Sequence, residues 1–117
     1  MKEMGDIDER MISGDALVRA LAALANPHRL RIIASLAGGR NYVSQLARDI
    51  GISRPLLHMH LQRLEAANLV AGTLELSEDG KAMKFFAVTP FAIQLTPGLI
   101  AEAARTLTPE PGPDNAP

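Results

Sequence analysis

The chain has 117 residues, 47% hydrophobic and 21% charged, a size and balance that fit one folded domain and exclude a disordered chain. It contains no cysteine, which excludes disulfides, thiolate metal centres and thiol nucleophiles. The formal net charge is −1, but from Asn26 to Glu65 six arginines (Arg29, Arg31, Arg40, Arg48, Arg54, Arg63) stand against Asp49 and Glu65, leaving +4 there and −5 elsewhere. A basic segment on an acidic chain is what a face that meets a polyanion requires.

Aromatic residues are scarce at 3% (Tyr42, Phe85, Phe86 and Phe91), so the core must be built from Leu, Ile, Val and Ala, which favours helices. Base-stacking platforms for single-stranded nucleic acid are excluded on the same ground. The longest uninterrupted apolar run, Ala20 to Ala25, is far below the ~20 residues of a membrane span. With no basic-then-apolar leader at the start, the expectation is a cytoplasmic protein without a membrane partner.

In chain order, residues 1–14 read as a partly flexible arm, followed by a winged domain over 15–107 and a disordered, proline-rich tail over 108–117. From Asp15 to Ala25 the spacing of Leu17, Leu21 and Leu24 predicts a helix. Asn26-Pro27 ends it and starts the next, Asn26 as cap and Pro27 in the first turn, with Leu30, Ile33, Ala34 and Ala37 as the apolar stripe and Gly38-Gly39 as the stop. A third helix over Tyr42 to Ile50 buries Val43, Leu46, Ala47 and Ile50 and closes at Gly51. Ser53 caps a fourth, which tolerates Pro55 in its first turn, buries Leu57, Leu61 and Leu64, and ends near Asn68.

The period then changes from 3.6 to 2. Val70 to Leu76 and Ala82 to Thr89 form a hairpin around the turn Ser77-Glu78-Asp79-Gly80. Phe91, Ile93 and Leu95 predict a further extended piece. Thr96-Pro97 opens a last helix through Leu107 with Leu99, Ile100, Ala103, Ala104 and Leu107 on its stripe.

Val43 to Val70 therefore reads as helix, tight turn, helix. Ala47 permits a close crossing, Gly51 supplies the positive φ of the turn, and Leu57 packs the second helix back on the first. This arrangement holds one helix proud of the body, as entry into the ~12 Å major groove demands. At 100° per residue, the face opposite the Leu57, Leu61 and Leu64 stripe carries Pro55, Met59, Gln62 and Arg63, flanked by Leu56 and His58, with Ser53 and Arg54 at the N-terminal end. Arg54 and Arg63 suit phosphate or guanine, Gln62 suits adenine, and Leu56 and Met59 suit thymine methyls. Lys81 and Lys84 on the hairpin suit backbone phosphates. For each of these side chains the plainer alternative is a solvated surface.

The stretches ALANPHRLRIIASL (Ala23 to Leu36), VSQLARDIGIS, HLQRLEAANLV and EDGKAMKFFAVT resemble the arsenical-resistance-repressor (ArsR/SmtB-like) winged-helix regulators from about Ala16 to Thr89. The resemblance implies a mainly α (α+β) fold, a winged helix-turn-helix with a β-hairpin wing, whose N- and C-terminal helices form a homodimer interface. Leu17, Leu21, Leu24, Leu99, Ile100, Ala103 and Leu107 are the candidates for that interface. It further implies a repressor on double-stranded DNA, released by a small effector or metal ion. Two-fold symmetry places half-sites of a palindromic operator about 34–36 Å apart.

Two metal sites that the resemblance raises are missing from the residues. Tyr42 and Ser44 occupy the positions of a cysteine pair, and Pro97 to Leu107 offers only Glu102 where Asp and His pairs belong. What remains is His28, His58 and His60, with Asp6, Asp8 and Glu9 in the arm, a non-thiolate set that suits nickel or zinc. His58 and His60 lie about 200° apart on one helix and do not chelate a single ion together. The plainer alternatives are a core His60, a locally bonded His28 and a solvated arm. No enzyme motif occurs: there is no phosphate-cradling glycine loop and no Ser-His-Asp context. Two rivals to the effector-responsive regulator stay open, a winged-helix module that binds protein and a DNA binder with no effector.

Overall fold

The computed structural model describes residues Ile12–Pro109. These form five helices and three strands in two compact units, one of residues 20–91 and one of the described parts of 1–19 and 92–117. The helices are α1 (Gly14–Leu24), α2 (Pro27–Ala37), α3 (Val43–Ile50), α4 (Arg54–Ala66) and α5 (Pro97–Ala104), and the strands are β1 (Asn41–Tyr42), β2 (Val70–Leu76) and β3 (Ala82–Val88). The arm acids Asp6, Asp8 and Glu9 and most of the tail lie outside the described residues. No helix among the described residues is long and apolar enough to cross a membrane.

In the unit of residues 20–91, α2, α3 and α4 converge on one aliphatic core. Ile32, Leu46, Leu57, Leu61 and Leu64 are all at most 1% exposed. Asn26 caps α2 as expected, its side chain accepting from the His28 and Arg29 amides at 2.9 and 3.3 Å. The buried stripe of α2 is not the expected one. Ile32 and Leu36 face inward while Leu30 is 54% exposed and Ala34 and Ala37 are exposed. Apolar residues occupy both sides of this helix, so periodicity does not choose between them.

The wing is a three-stranded antiparallel sheet in the order β1-β3-β2. β2 and β3 pair from Val70 opposite Val88 to Leu76 opposite Ala82. β1 was not expected; its two residues pair with Phe85 and Phe86 and tie the start of α3 to the sheet. Only the root of the hairpin is buried, at Val70 and Phe86, and Leu74 and Leu76 are 69% and 76% exposed. Gly72 permits this geometry, because a Cβ there would stand 2.8 Å from Lys84 Cε and 2.9 Å from the Phe86 ring.

In the other unit, the N-terminus of α1 lies against the end of α5. The Gly14 amide donates to Thr106 Oγ1 at 2.8 Å, and Thr108 donates its amide to Asp15 Oδ1 at 3.0 Å. Thr96 caps α5 by accepting from the Leu99 amide, as its sequence implies. α5 is shorter than expected, ending at Ala104 in a turn where Thr106 Oγ1 donates to Ala103 O. The expected extended piece at Phe91, Ile93 and Leu95 belongs to no strand. Leu17 and Ala103 are buried already within one chain, while Val18, Leu21, Ile100 and Leu107 are exposed. Leu24 and Leu99 are half-buried.

A Cβ on Gly14 would meet Ala103 O at 2.3 Å and the Leu107 side chain at 2.7 Å, whereas one on Gly98 meets nothing closer than 3.9 Å. Gly14→Ala is expected to destabilise the fold by about 1–3 kcal/mol. Gly98→Ala is expected to be neutral or stabilising by up to about 1 kcal/mol. Urea unfolding of the two variants checks the contrast.

Candidate nucleic-acid interface

The turn between α3 and α4 is built as the sequence requires. Gly51 closes α3 at φ 83°, and the Gly51 and Ile52 amides both return to Ala47 O, at 2.8 and 3.1 Å. Ser53 then caps α4, its hydroxyl oxygen accepting from the Leu56 amide at 3.3 Å. Pro55 sits in the first turn, where no donor is lost. At the far end Asn68 adopts φ 62° and the Leu69 amide reaches Leu64 O, turning the chain directly into β2.

α4 is sharply divided. Leu57, His60, Leu61 and Leu64 are buried, and Arg54, Pro55, Leu56, His58, Met59, Gln62 and Arg63 are all exposed. The predicted face is therefore a continuous outer surface, on which Leu56 and Met59 remain 37% and 39% exposed beside the arginines. Ser53 is exposed as well, but its hydroxyl is spent on the cap.

The basic stretch contributes less to that surface than its count implies. Arg29 turns inward, donating from Nε to His60 Nδ1 at 3.0 Å and from Nη1 to the Ala22 and Ala23 carbonyls. Arg40 pairs with Glu75 and lies 4.2 Å above the centre of the Phe85 ring. That hydrogen bond holds the Glu75 carboxyl below its ordinary value and raises Arg40 above its own. Sequence reasoning missed both arrangements, since each joins residues far apart in the chain.

Lys81 and Lys84 are exposed on the wing. Lys84 Nζ lies 5.6 Å from the centre of the Phe86 ring, in the space left by Gly72. Lys81 follows a tip in which Asp79 accepts from the Ser77 hydroxyl and the Lys81 amide. Those two bonds, the hydroxyl first, lower the Asp79 pKa and keep its charge beside Lys81.

The three histidines are not gathered around one point. His58 is exposed, whereas His60 is 2% exposed and packs beside half-buried His28, with ring centres 5.4 Å apart. Among the described residues no group of three or more His, Asp or Glu is placed to hold a metal ion. Ser53→Ala is expected to cost about 0.5–2 kcal/mol through the unsatisfied first turn of α4. Chemical denaturation followed by helical circular dichroism measures it.

Comparison with known proteins agrees with this geometry. A family model described as "Bacterial regulatory protein, arsR family" matches residues 26–71, from the cap of α2 into β2. The chain is 33% identical over 75 residues to the uncharacterized HTH-type transcriptional regulator MJ0229 of Methanocaldococcus jannaschii, covering 64% of this chain and 78% of that one. It is 42% identical over 60 residues to the HTH-type transcriptional regulator CmtR of Mycobacterium tuberculosis, where it spans about half of each protein. Among solved structures, the solution structure of a homodimeric winged helix-turn-helix DNA-binding domain from Mycobacterium bovis superposes with a TM-score of 0.59 at 24% identity, over 90% of this chain and 82% of that one.

Proposed function

This chain belongs to the ArsR family of bacterial regulatory proteins, and from that premise we propose that it is a homodimeric, cytoplasmic transcriptional repressor that binds a palindromic operator in double-stranded DNA. The observation that carries this reading is the division of α4. The core holds the helix by Leu57, Leu61 and Leu64, and its exposed side presents Arg54, Leu56, Met59, Gln62 and Arg63 together. Those side chains offer guanidinium groups for phosphate or guanine, an amide for adenine and apolar surface for thymine methyls.

The homodimer reading is supported by apolar surface that a single chain leaves uncovered on α1 and α5, at Val18, Leu21 and Ile100, with Leu107 just beyond α5. The similar M. bovis domain is described as homodimeric. In the dimer the two copies of α4 would enter successive major grooves, with the hairpins flanking them as wings through Lys81 and Lys84. A response to nickel or zinc would draw on His28 and His60, which lie together, with oxygen donors from Asp6, Asp8 and Glu9 in the arm.

A second reading, a module that docks on protein, is favoured by one observation. The wing exposes Leu74 and Leu76 next to an acidic tip carrying Glu78 and Asp79, a poor surface for phosphate. Salt separates the two, because phosphate neutralisation makes affinity fall steeply as salt rises.

The test is fluorescence anisotropy with the DNA immediately upstream of the protein's own gene against a scrambled duplex, after chelation and again with nickel or zinc. Specific, salt-sensitive binding is expected. Arg54→Ala and Arg63→Ala are each expected to weaken it by about tenfold or more, reducing the salt slope by about 1 where the lost contact is to phosphate. Helicity and dimer mass should stay unchanged. Wild-type affinity in both variants removes this recognition surface, and binding indifferent to added metal leaves a regulator without a metal effector.

A further inference from the structure

Arg40, Tyr42, Phe85 and Glu75 gather on one face of the three-stranded wing. Tyr42 pairs with Phe85, and Phe85 with Thr73, so Glu75, two residues beyond Thr73, lies diagonal to Phe85 on the same face. Arg40 stands two residues before Tyr42, its guanidinium 4.2 Å above the centre of the Phe85 ring and its Nη1 donating to Glu75 Oε2. The Tyr42 ring meets Phe85 edge-on, with centres 5.7 Å apart and planes at 70°. One side chain from the loop after α2 thus crosses β3 and ties β2 to the entry of α3.

The two faces of the hairpin are held differently. On the opposite face Val70 and Phe86 are buried in the core, whereas Leu74, Leu76 and Lys84, further along, are exposed. Core packing therefore fixes the start of the hairpin, and the Arg40 bridge restrains its middle from the other side. The bridge is a poor source of stability, because its side chains are 50% and 41% exposed and pairs of that kind contribute little. What it supplies is orientation, since a planar guanidinium stacked on a ring and bonded at its end is held in one geometry that an ammonium does not reproduce.

We propose that Arg40 is a positioning residue for DNA binding, whose bridge over Phe85 to Glu75 fixes the angle of the wing against α3 and so brings Lys81 and Lys84 to the phosphates. This rests on the regulator reading given above. One substitution separates the role from bulk charge. Glu75→Thr removes a carboxylate from the wing while keeping a residue that favours strands. Electrostatics alone would then tighten binding to DNA, whereas loss of the bridge loosens the wing and weakens it.

The experiment is anisotropy of the full chain with the upstream duplex at several salt concentrations, with helicity and the urea midpoint followed in parallel. Glu75→Thr is expected to weaken binding by about threefold to tenfold and to lower the salt slope by about 1, as a wing contact to phosphate is lost. Arg40→Lys, which keeps the net charge, should do the same, and both variants should keep wild-type helicity. Replacing Lys81 and Lys84 together by Ala should weaken the wild type but add little to Glu75→Thr, because the loosened wing no longer delivers them. In the wild type, NMR should show the Arg40 side-chain protons shifted upfield by the Phe85 ring current, a readout independent of any variant's folding. Unchanged or tighter binding by Glu75→Thr, full additivity with the lysine replacements, or unshifted Arg40 protons overturns the proposal. Absence of specific binding by the wild type instead overturns the regulator reading and this role with it, while the ring-current shift still reports whether the bridge forms.

Discussion

The structure depends on burying one aliphatic stripe of α4. Leu57, Leu61 and Leu64 share a core with Ile32 of α2 and Leu46 of α3, all essentially inaccessible. Fully burying a side chain of this size contributes about 1.5–3 kcal/mol, so five of them outweigh any local preference of the segment for another orientation. Once that stripe is inside, helical geometry puts Arg54, Met59, Gln62 and Arg63 outside. The proposed reading surface is a consequence of the packing beneath it, and the short turn through Gly51 sets its angle against α3.

Charge is sorted by the same packing. Arg29 and Arg54 belong to one basic stretch, yet the first bonds to His60 and two carbonyls and the second stands at the exposed start of α4. Arg40 is taken up by Glu75 and the Phe85 face at the root of the wing. The wing itself ends in a mixed tip, with Asp79 held ionised beside Lys81. Of the basic stretch, Arg54 and Arg63 stand exposed on α4, and Arg31 and Arg48 stand exposed on α2 and α3.

Much of this was legible from residue types with local jobs. Asn26, Ser53 and Thr96 cap the helices they were expected to cap, and Gly51 takes the left-handed conformation expected of it. The inner and outer faces of α4 were legible because its leucines recur at helical spacing with polar residues between them. The stripe of α2 was not, because Leu30, Ile32, Ile33 and Leu36 surround that helix and only its neighbours select Ile32 and Leu36. β1 was invisible for a related reason: two residues carry no period, and they become a strand only where Phe85 and Phe86 offer them an edge.

The sequence by itself determined the order of the five helices and the hairpin, their caps and turns, the family and the residues on the outside of α4, since propensity, capping and periodicity act within a few residues of chain. Only the tertiary structure decided which arginines remain available to a partner, which face of α2 is core, and that His60 is a buried acceptor for Arg29. Those outcomes depend on groups distant in sequence becoming neighbours, and a hydrogen bond or a desolvated ring exists only once both partners are in place.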